Sequence, residues 1–169
     1  MRILAIDPGN VQSAYVLMED RTPVEFGKTN NDEVLQVIHR EAKELNFCII
    51  EMVASYGKPV GKDVFETCVW IGRFAEASLW QKCKVDYIYR MEEKVNLCHD
   101  SKVKDANIRQ ALIDRFAGFD FKNGKGTKKK PDFFYGFAKD VWAAYAIGTT
   151  WLDKKEGEKN ASDGHYRER

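Results

Sequence analysis

Long apolar runs are missing from this chain of 169 residues. The longest nearly uncharged apolar stretch, Val141 to Leu152, has 12 residues and includes two threonines, against the roughly 20 that a membrane-spanning helix needs. No transmembrane segment is expected. The N-terminal apolar run is shorter still and is ended by Asp7, so it does not make a signal-peptide core, and a cytoplasmic location is expected. Cysteine is scarce: the residues at 48, 68, 83 and 98 form no C-x-x-C pair and have apolar neighbours such as Phe47, Val69 and Leu97. That spacing argues against zinc and predicts buried free thiols. Lys and Arg number 27 against 26 Asp and Glu, so no overall excess of charge points to a polyanion partner. Repeats and low-complexity tracts are absent, and no second domain is visible. One domain over residues 1–153 is expected, followed by a polar, flexible tail, 154–169, without the apolar residues to pack.

What the chain does contain is enough for an ordinary globular core. It has 44% hydrophobic and 31% charged residues with a mean hydropathy of −0.50, and at this length roughly 70% of the unfolded surface can be buried. The charge is unevenly placed. Residues 1–50 carry 5 basic and 8 acidic side chains, whereas 121–140 carry 6 lysines and 2 aspartates. A basic segment therefore sits on a near-neutral protein.

The apolar run Arg2 to Asp7 meets the turn Pro8-Gly9-Asn10, and a second strand follows over Ser13 to Met18. Thr22 to Lys28 reads as an edge strand, since Pro23 would be disfavoured in a central one. A helix starts near Asn31, with Val34, Leu35, Ile38, Ala42 and Leu45 at helical spacing. Phe47-Cys48-Ile49-Ile50 is a buried strand running directly into Glu51. Asp63 to Trp80 is a long helix with Val64, Cys68, Ile71, Ala75 and Leu79 on one face, and Val85 to Tyr89 is a fifth strand. Asp105 caps a helix ended by Gly118, Phe119 to Phe137 is a glycine- and lysine-rich loop, and a last helix spans about Lys139 to Asp153. This order predicts an α/β domain with a mixed sheet.

Three acids occupy special places: Asp7 at the end of the first strand, Glu51 at the end of the buried fourth, and Asp140 at the start of the last helix. If strands one and four are parallel neighbours, Asp7 and Glu51 project side by side. Carboxylates packed that closely either gain protons or share a cation. Hard oxygen donors on rigid elements favour Mg²⁺ or Mn²⁺, and a two-metal site of that kind suits phosphodiester hydrolysis. Taken singly, an aspartate before Pro-Gly is a common turn residue and one at a helix start a common cap. Glu51 differs, because a charge directly after four buried residues is costly unless used.

The blocks Arg2-Ile3-Leu4-Ala5-Ile6-Asp7-Pro8-Gly9-Asn10, Ile49-Ile50-Glu51 and Lys139-Asp140-Val141-Trp142-Ala143-Ala144-Tyr145-Ala146 together resemble the metal-binding blocks of RuvC-type Holliday junction resolvases, most of all the phage-type members. The likeness spans about Arg2 to Leu152. It implies an RNase H-like fold, a mixed five-stranded sheet flanked by helices, with Asp7, Glu51 and Asp140 as metal ligands. It further implies active-site lysines near Lys94 and Lys104, either of which could equally be a solvated surface residue. The implied activity is Mg²⁺-dependent cleavage of four-way junctions and other branched DNA by a homodimer, since paired cuts on a two-fold substrate need two sites.

Two positions depart from that pattern. Where the family has an acid or histidine three residues before the last aspartate, this chain has Phe137, so a fourth ligand is absent, replaced by water, or supplied by Asp132 or Asp105. Where some members carry a junction-probing aromatic, this chain has Ala54, with Tyr56 the nearest substitute. Lys122, Lys125, Lys128, Lys129 and Lys130 lie on a loop with Gly124 and Gly126, read as a flexible set of phosphate contacts that position DNA without reading sequence. Phe133, Phe134 and Tyr135 fit packing or a dimer contact better than base stacking. Rival readings are an RNase H-like nuclease acting on RNA or flapped DNA and a catalytically inactive DNA-binding module. An actin-like sugar kinase or ATPase needs a second domain that this length cannot hold.

Overall fold

The computed structural model describes residues 1–57 and 59–165. Arg2–Asp7 (β1), Gln12–Glu19 (β2) and Thr22–Asn30 (β3) form an antiparallel meander. The chain crosses by Asn31–Glu41 (α1) to Phe47–Met52 (β4), which runs parallel to β1, and by Lys62–Trp80 (α2) to Lys84–Tyr89 (β5), parallel to β4. Arg90–Cys98 (α3), Asp105–Phe116 (α4) and Val141–His165 (α5) follow. The strand order β3-β2-β1-β4-β5 leaves β3 at an edge, where Pro23 costs no central hydrogen bond.

Alternation along the strands divides the core in two. Leu4, Ile6, Leu17, Cys48 and Ile50 pack under α1 and α2 against Val34, Ile38, Ile71 and Phe74. Ile3, Ala5, Val16, Met18 and Ile49 face the other way, against Tyr145, Ile147 and Trp151 of α5 and Ile108 and Leu112 of α4. Each of the larger of these apolar side chains stabilises by about 1.5–3 kcal/mol when fully buried. The helix α5 lies directly on β1 and β2 because Gly148 has no side chain: a Cβ there would come within 2.5 Å of Met18 Sδ and 3.1 Å of Ala5 Cβ.

Several elements differ from what the sequence spacing predicts. On α2 the buried stripe is Thr67, Ile71, Phe74, Ala75 and Ser78, while Cys68 and Leu79 face outward. Thr67 and Ser78 conceal this register because each is polar, yet each satisfies its hydroxyl on a carbonyl one turn back, Asp63 O and Phe74 O, both at 2.8 Å. Of the thiols, Cys48 and Cys83 are buried, Cys98 is half-buried and Cys68 is exposed. The helix α3 has no counterpart in the sequence reading. Its start is fixed by Glu92, which accepts the Tyr89 N–H at 2.7 Å. The cap of α4 is Lys104, not Asp105, and Asn107 accepts the Lys104 N–H at 3.1 Å.

The last helix continues well past Asp153. Ion pairs replace the missing apolar contacts there: Arg21 reaches both Asp153 (2.8 Å) and Glu156 (2.7 Å), and Lys154 reaches Glu92. Residues 166–169 of the expected tail lie outside the described residues. Among the described residues, no helix is long and apolar enough to cross a membrane.

Candidate active site

The register of β1 on β4 pairs Ile6 with Ile50, so the next step along both strands sets Asp7 beside Glu51. Asp7 shares its face with Ile3 and Ala5, and Glu51 with Ile49, so both carboxyls emerge on the side covered by α5. They are close enough for the Asp7 carboxyl to donate a hydrogen bond to Glu51. Buried polar groups brace the turn that ends β1. Ser13 and Asn31, each 1% exposed, hydrogen-bond each other at 2.6 Å. Ser13 Oγ also accepts the Gly9 N–H (3.1 Å), and Asn31 Nδ2 donates to the Gly9 carbonyl (2.9 Å). A Cβ on Gly9 would fall 2.3 Å from the Gln12 carbonyl oxygen, so this turn closes only around glycine.

Asp140 sits at the mouth of α5, preceded by Lys139 in the left-handed backbone region at φ 46°. Its carboxylate is paired with Lys28 from β3, and its charge bears on Asp7. A groove of about 340 Å³ is lined by Asp7, Gly9, Asn10, Lys28 and Asp140. On the other side of Asp140, a second groove holds Arg90, Asp105, Arg109 and Lys139. The structure therefore brings the three predicted acids to one place and adds a cationic fringe that the sequence reading missed.

The structure also adds a fourth acid. Glu93 on α3 is fully buried and receives Arg90 at 2.6 Å, while the other guanidinium nitrogen of Arg90 donates to Asp105 at 2.6 Å. Burial raises the Asp7 pKa, with the Glu51 charge next in effect. Burial likewise raises Glu51, reinforced by the Glu93 charge. Glu93 is pushed up to about 8, chiefly by burial, with Arg90 opposing. Only a helix assignment over 90–98 could have revealed Arg90 and Glu93 from sequence, and the spacing Glu92, Val95, Leu97 is too short to supply one.

Lys94 is half-buried one residue beyond Glu93, about 100° further round the helix, and Lys104 is exposed at the cap of α4. Tyr56 is exposed on the loop between β4 and α2. Phe137 is sealed in the core against Phe26, Phe134, Trp142 and Tyr145. Phe134 is fully buried with it and Phe133 is half-buried, while Tyr135 is exposed.

The lysine loop is not a slack one. Asp120 accepts backbone N–H groups of Asn123, Lys125 and Gly126 at 3.0–3.2 Å. Asp132 accepts those of Gly118, Phe119, Asp120 and Phe133 at 2.7–3.0 Å. Desolvation works to raise the Asp132 pKa, but these amides outweigh it and hold the carboxylate well below the usual range. Asp132 is thus turned into the loop as its organiser, away from Asp7 and Glu51, because four fixed amide dipoles solvate it better than an open site would. Lys128, Lys129 and Lys130 are exposed, and Lys130 Nζ rests over the Phe119 ring at 4.4 Å. Lys122 and Asn123 share a groove of about 490 Å³ with Asp105, Arg109 and Lys139.

Hard carboxylate oxygens in a desolvated cluster suit a divalent cation in chemistry. Among the described residues, however, no three or more His, Cys, Asp or Glu side chains come together in a way that could hold a metal ion; Lys28 holds Asp140 and Arg90 holds Glu93.

The mixed five-stranded sheet with helices on both faces is the RNase H-like fold in its RuvC form. The structure of Thermus thermophilus RuvC superposes with a TM-score of 0.64 at 14% identity, over 93% of this chain and 97% of that one. T. thermophilus RuvC in complex with a Holliday junction substrate gives 0.67 at 13% identity, over 93% and 96%. No protein-family model and no curated protein sequence matches the chain.

The raised carboxyls fix a pH dependence. Folding raises their proton affinity, so their contribution to stability is present near pH 4 and is lost as pH rises through the interval up to about 8. Asp120 and Asp132, whose pKa values are lowered, act only below about pH 4. In EDTA, the melting midpoint is expected to fall between pH 5 and pH 8, on the order of 5 °C, and Asp7→Asn to flatten that fall. A midpoint independent of pH in calorimetric scans of both proteins would contradict the buried acid cluster.

Proposed function

We propose that this chain is a divalent-metal-dependent endodeoxyribonuclease that cleaves four-way junctions and other branched DNA. The observation that carries this reading is the side-by-side placement of Asp7 and Glu51 at the ends of adjacent parallel strands, under the start of α5 that bears Asp140. The fold likeness to a RuvC solved with a Holliday junction supports it. Asp7, Glu51 and Asp140 hold the cation, Mg²⁺ with Mn²⁺ as a substitute. When bound, the ion supplies an activated water and neutralises charge on the leaving oxygen.

The chain's own cations do the rest. Lys28 compensates Asp140 and is positioned to exchange that partner for a backbone phosphate. Arg109, Lys139 and Lys122 line the groove leading away from Asp140, where they contact successive phosphates. The exposed lysines at the loop tip extend that track, with Lys94 and Lys104 at its side and Tyr56 on the opposite loop. Replacing Asp7 by Asn, Glu51 by Gln or Asp140 by Asn is expected to lower the single-turnover cleavage rate of a synthetic four-way junction by at least about a hundredfold, while gel-shift affinity in Ca²⁺ changes little. Retained cleavage in any one variant removes that residue from the site. The combined Lys128→Ala, Lys129→Ala, Lys130→Ala variant is expected to bind all DNA shapes more weakly. Its slope of log affinity against log salt should be shallower by about 0.9 for each lost contact on duplex arms, and an unchanged slope would make the loop a mere solvated surface.

A two-fold substrate calls for a second copy of the chain. The outward face of α2 offers Phe65, Val69, Leu79 and Trp80, each more than half exposed, and exposed apolar side chains grouped on one face mark contacts between proteins. Packing of two such faces gives the homodimer. Sedimentation velocity at micromolar concentration is expected to show a dimer that Val69→Glu converts to monomer, and a monomeric wild-type chain would dismiss this interface.

A further inference from the structure

The basic side chains that frame the fold are paired with acids: Arg2, Arg21, Arg40, Arg90 and Arg115 each reach a carboxylate at 2.6–2.8 Å. Arg109, Lys122 and Lys139 are different. All three line the groove of about 490 Å³ between α4, the lysine loop and the start of α5, and none has a carboxylate partner among the described residues. The Arg109 guanidinium rests over the Trp142 ring instead, at 4.7 Å. Asp105, the acid on this wall, is already bonded to Arg90 at 2.6 Å. The groove therefore carries uncompensated positive charge, which calls for an anion. A smaller groove of about 90 Å³ shares Asp105, Arg109, Lys139 and Trp142 with it and reaches Asp140. The charged track thus leads to the candidate active site.

The lip of the same groove bears an uncovered ring. Phe121 is 59% exposed and stacks on no other aromatic side chain among the described residues. Its backbone is braced on both sides. The Phe121 carbonyl accepts Gln110 Nε2 at 3.1 Å, and Gln110 belongs to the groove wall together with Lys122 and Asn123, the residues that follow the ring. Before it, Asp120 holds the amides of Asn123, Lys125 and Gly126. A ring carried on such a backbone loses little freedom on binding. A lone exposed phenylalanine is ordinary on a protein surface. One fixed beside unpaired cations in a groove has the make-up of a single-strand site, where basic side chains follow phosphates and rings stack on bases.

Duplex DNA does not use both features, since its bases are stacked on one another and offer no face to a ring. An unpaired strand does. We infer that the groove between α4 and the lysine loop takes an unpaired DNA strand, with Arg109, Lys122 and Lys139 on its phosphates and Phe121 stacked on a base. The inference rests on the proposed reading of the chain as a protein that acts on branched DNA. It names the part of such a substrate that this face engages, the nucleotides left unstacked where arms diverge. Every base has a π-face, so the stacking is tolerant of sequence.

The test is fluorescence anisotropy of a labelled oligo(dT) strand of roughly 12 nucleotides, titrated with the full-length chain in EDTA beside a blunt duplex of the same length. Phe121→Ala is expected to weaken single-strand binding by at least about fivefold and duplex binding by no more than about twofold. Phe121→Tyr should keep the wild-type affinity, whereas Phe121→Leu, apolar but without a π-face, should fall with the alanine variant. Lys122→Gln is expected to make the slope of log affinity against log salt shallower by about 0.7 on the single strand. Wild-type oligo(dT) affinity in Phe121→Ala, or an equal loss on the duplex, would overturn the inference. Junction cleavage in Mg²⁺ by the wild-type chain would leave the nuclease reading standing in that event. The expected losses in a chain that cleaves no junction would uphold the groove and overturn the nuclease reading.

Discussion

The site depends on one pairing, the parallel alignment of β1 with β4. Parallel neighbours end at the same sheet edge, so one register step beyond Ile6 and Ile50 fixes two carboxyls side by side without any loop to place them. An antiparallel pairing would have sent them to opposite ends. The helix crossover through α1 makes the parallel arrangement possible, and the Ser13–Asn31 pair holds the turn at the end of β1 in the one shape that keeps Asp7 pointing along its strand.

Setting acids together in a desolvated cluster is expensive, and the surrounding cations show how the fold sustains it. Arg90 bridges Glu93 and Asp105, and Lys28 pairs with Asp140. Each comes from a different element, β3 or α3, so the electrostatic balance of the cluster reports on correct assembly of the whole sheet. Close seating of α5 matters for the same reason. With Gly148 against Met18 and Ala5, the helix start that carries Asp140 is brought down to the level of the strand ends.

Much of this was legible in the residue order. The apolar run ending in Asp7, the buried run ending in Glu51 and the aspartate at the mouth of the last helix are strong local signals, because each breaks a pattern that burial would otherwise continue. Element order alone predicts a mixed sheet, but the adjacency of β1 and β4 enters the sequence reading only as a condition, which the strand order supplies. What escaped was whatever depended on short or polar-faced helices. Glu93 and Arg90 lie on a nine-residue helix that offers too few turns for periodicity to show. The register of α2 was misread because Thr67 and Ser78 are buried while satisfied within their own helix. The extension of α5 beyond Asp153 rests on Arg21 and Glu92, partners far away in sequence that no local pattern can reveal.

The lysine loop shows how composition can mislead about stiffness. A stretch rich in lysine and glycine reads as slack chain, yet two aspartates gather seven of its backbone amides into fixed geometry. Proteases that cut after lysine need several residues drawn out in extended form, and loop tips are their usual entry points. Here the backbone is already committed to Asp120 and Asp132, so opening it means breaking both clusters at once. Carboxylates that sit inside the turns therefore hold both flanks of the lysine tip closed, and the tip itself folds on Thr127 and Lys130, which bond each other.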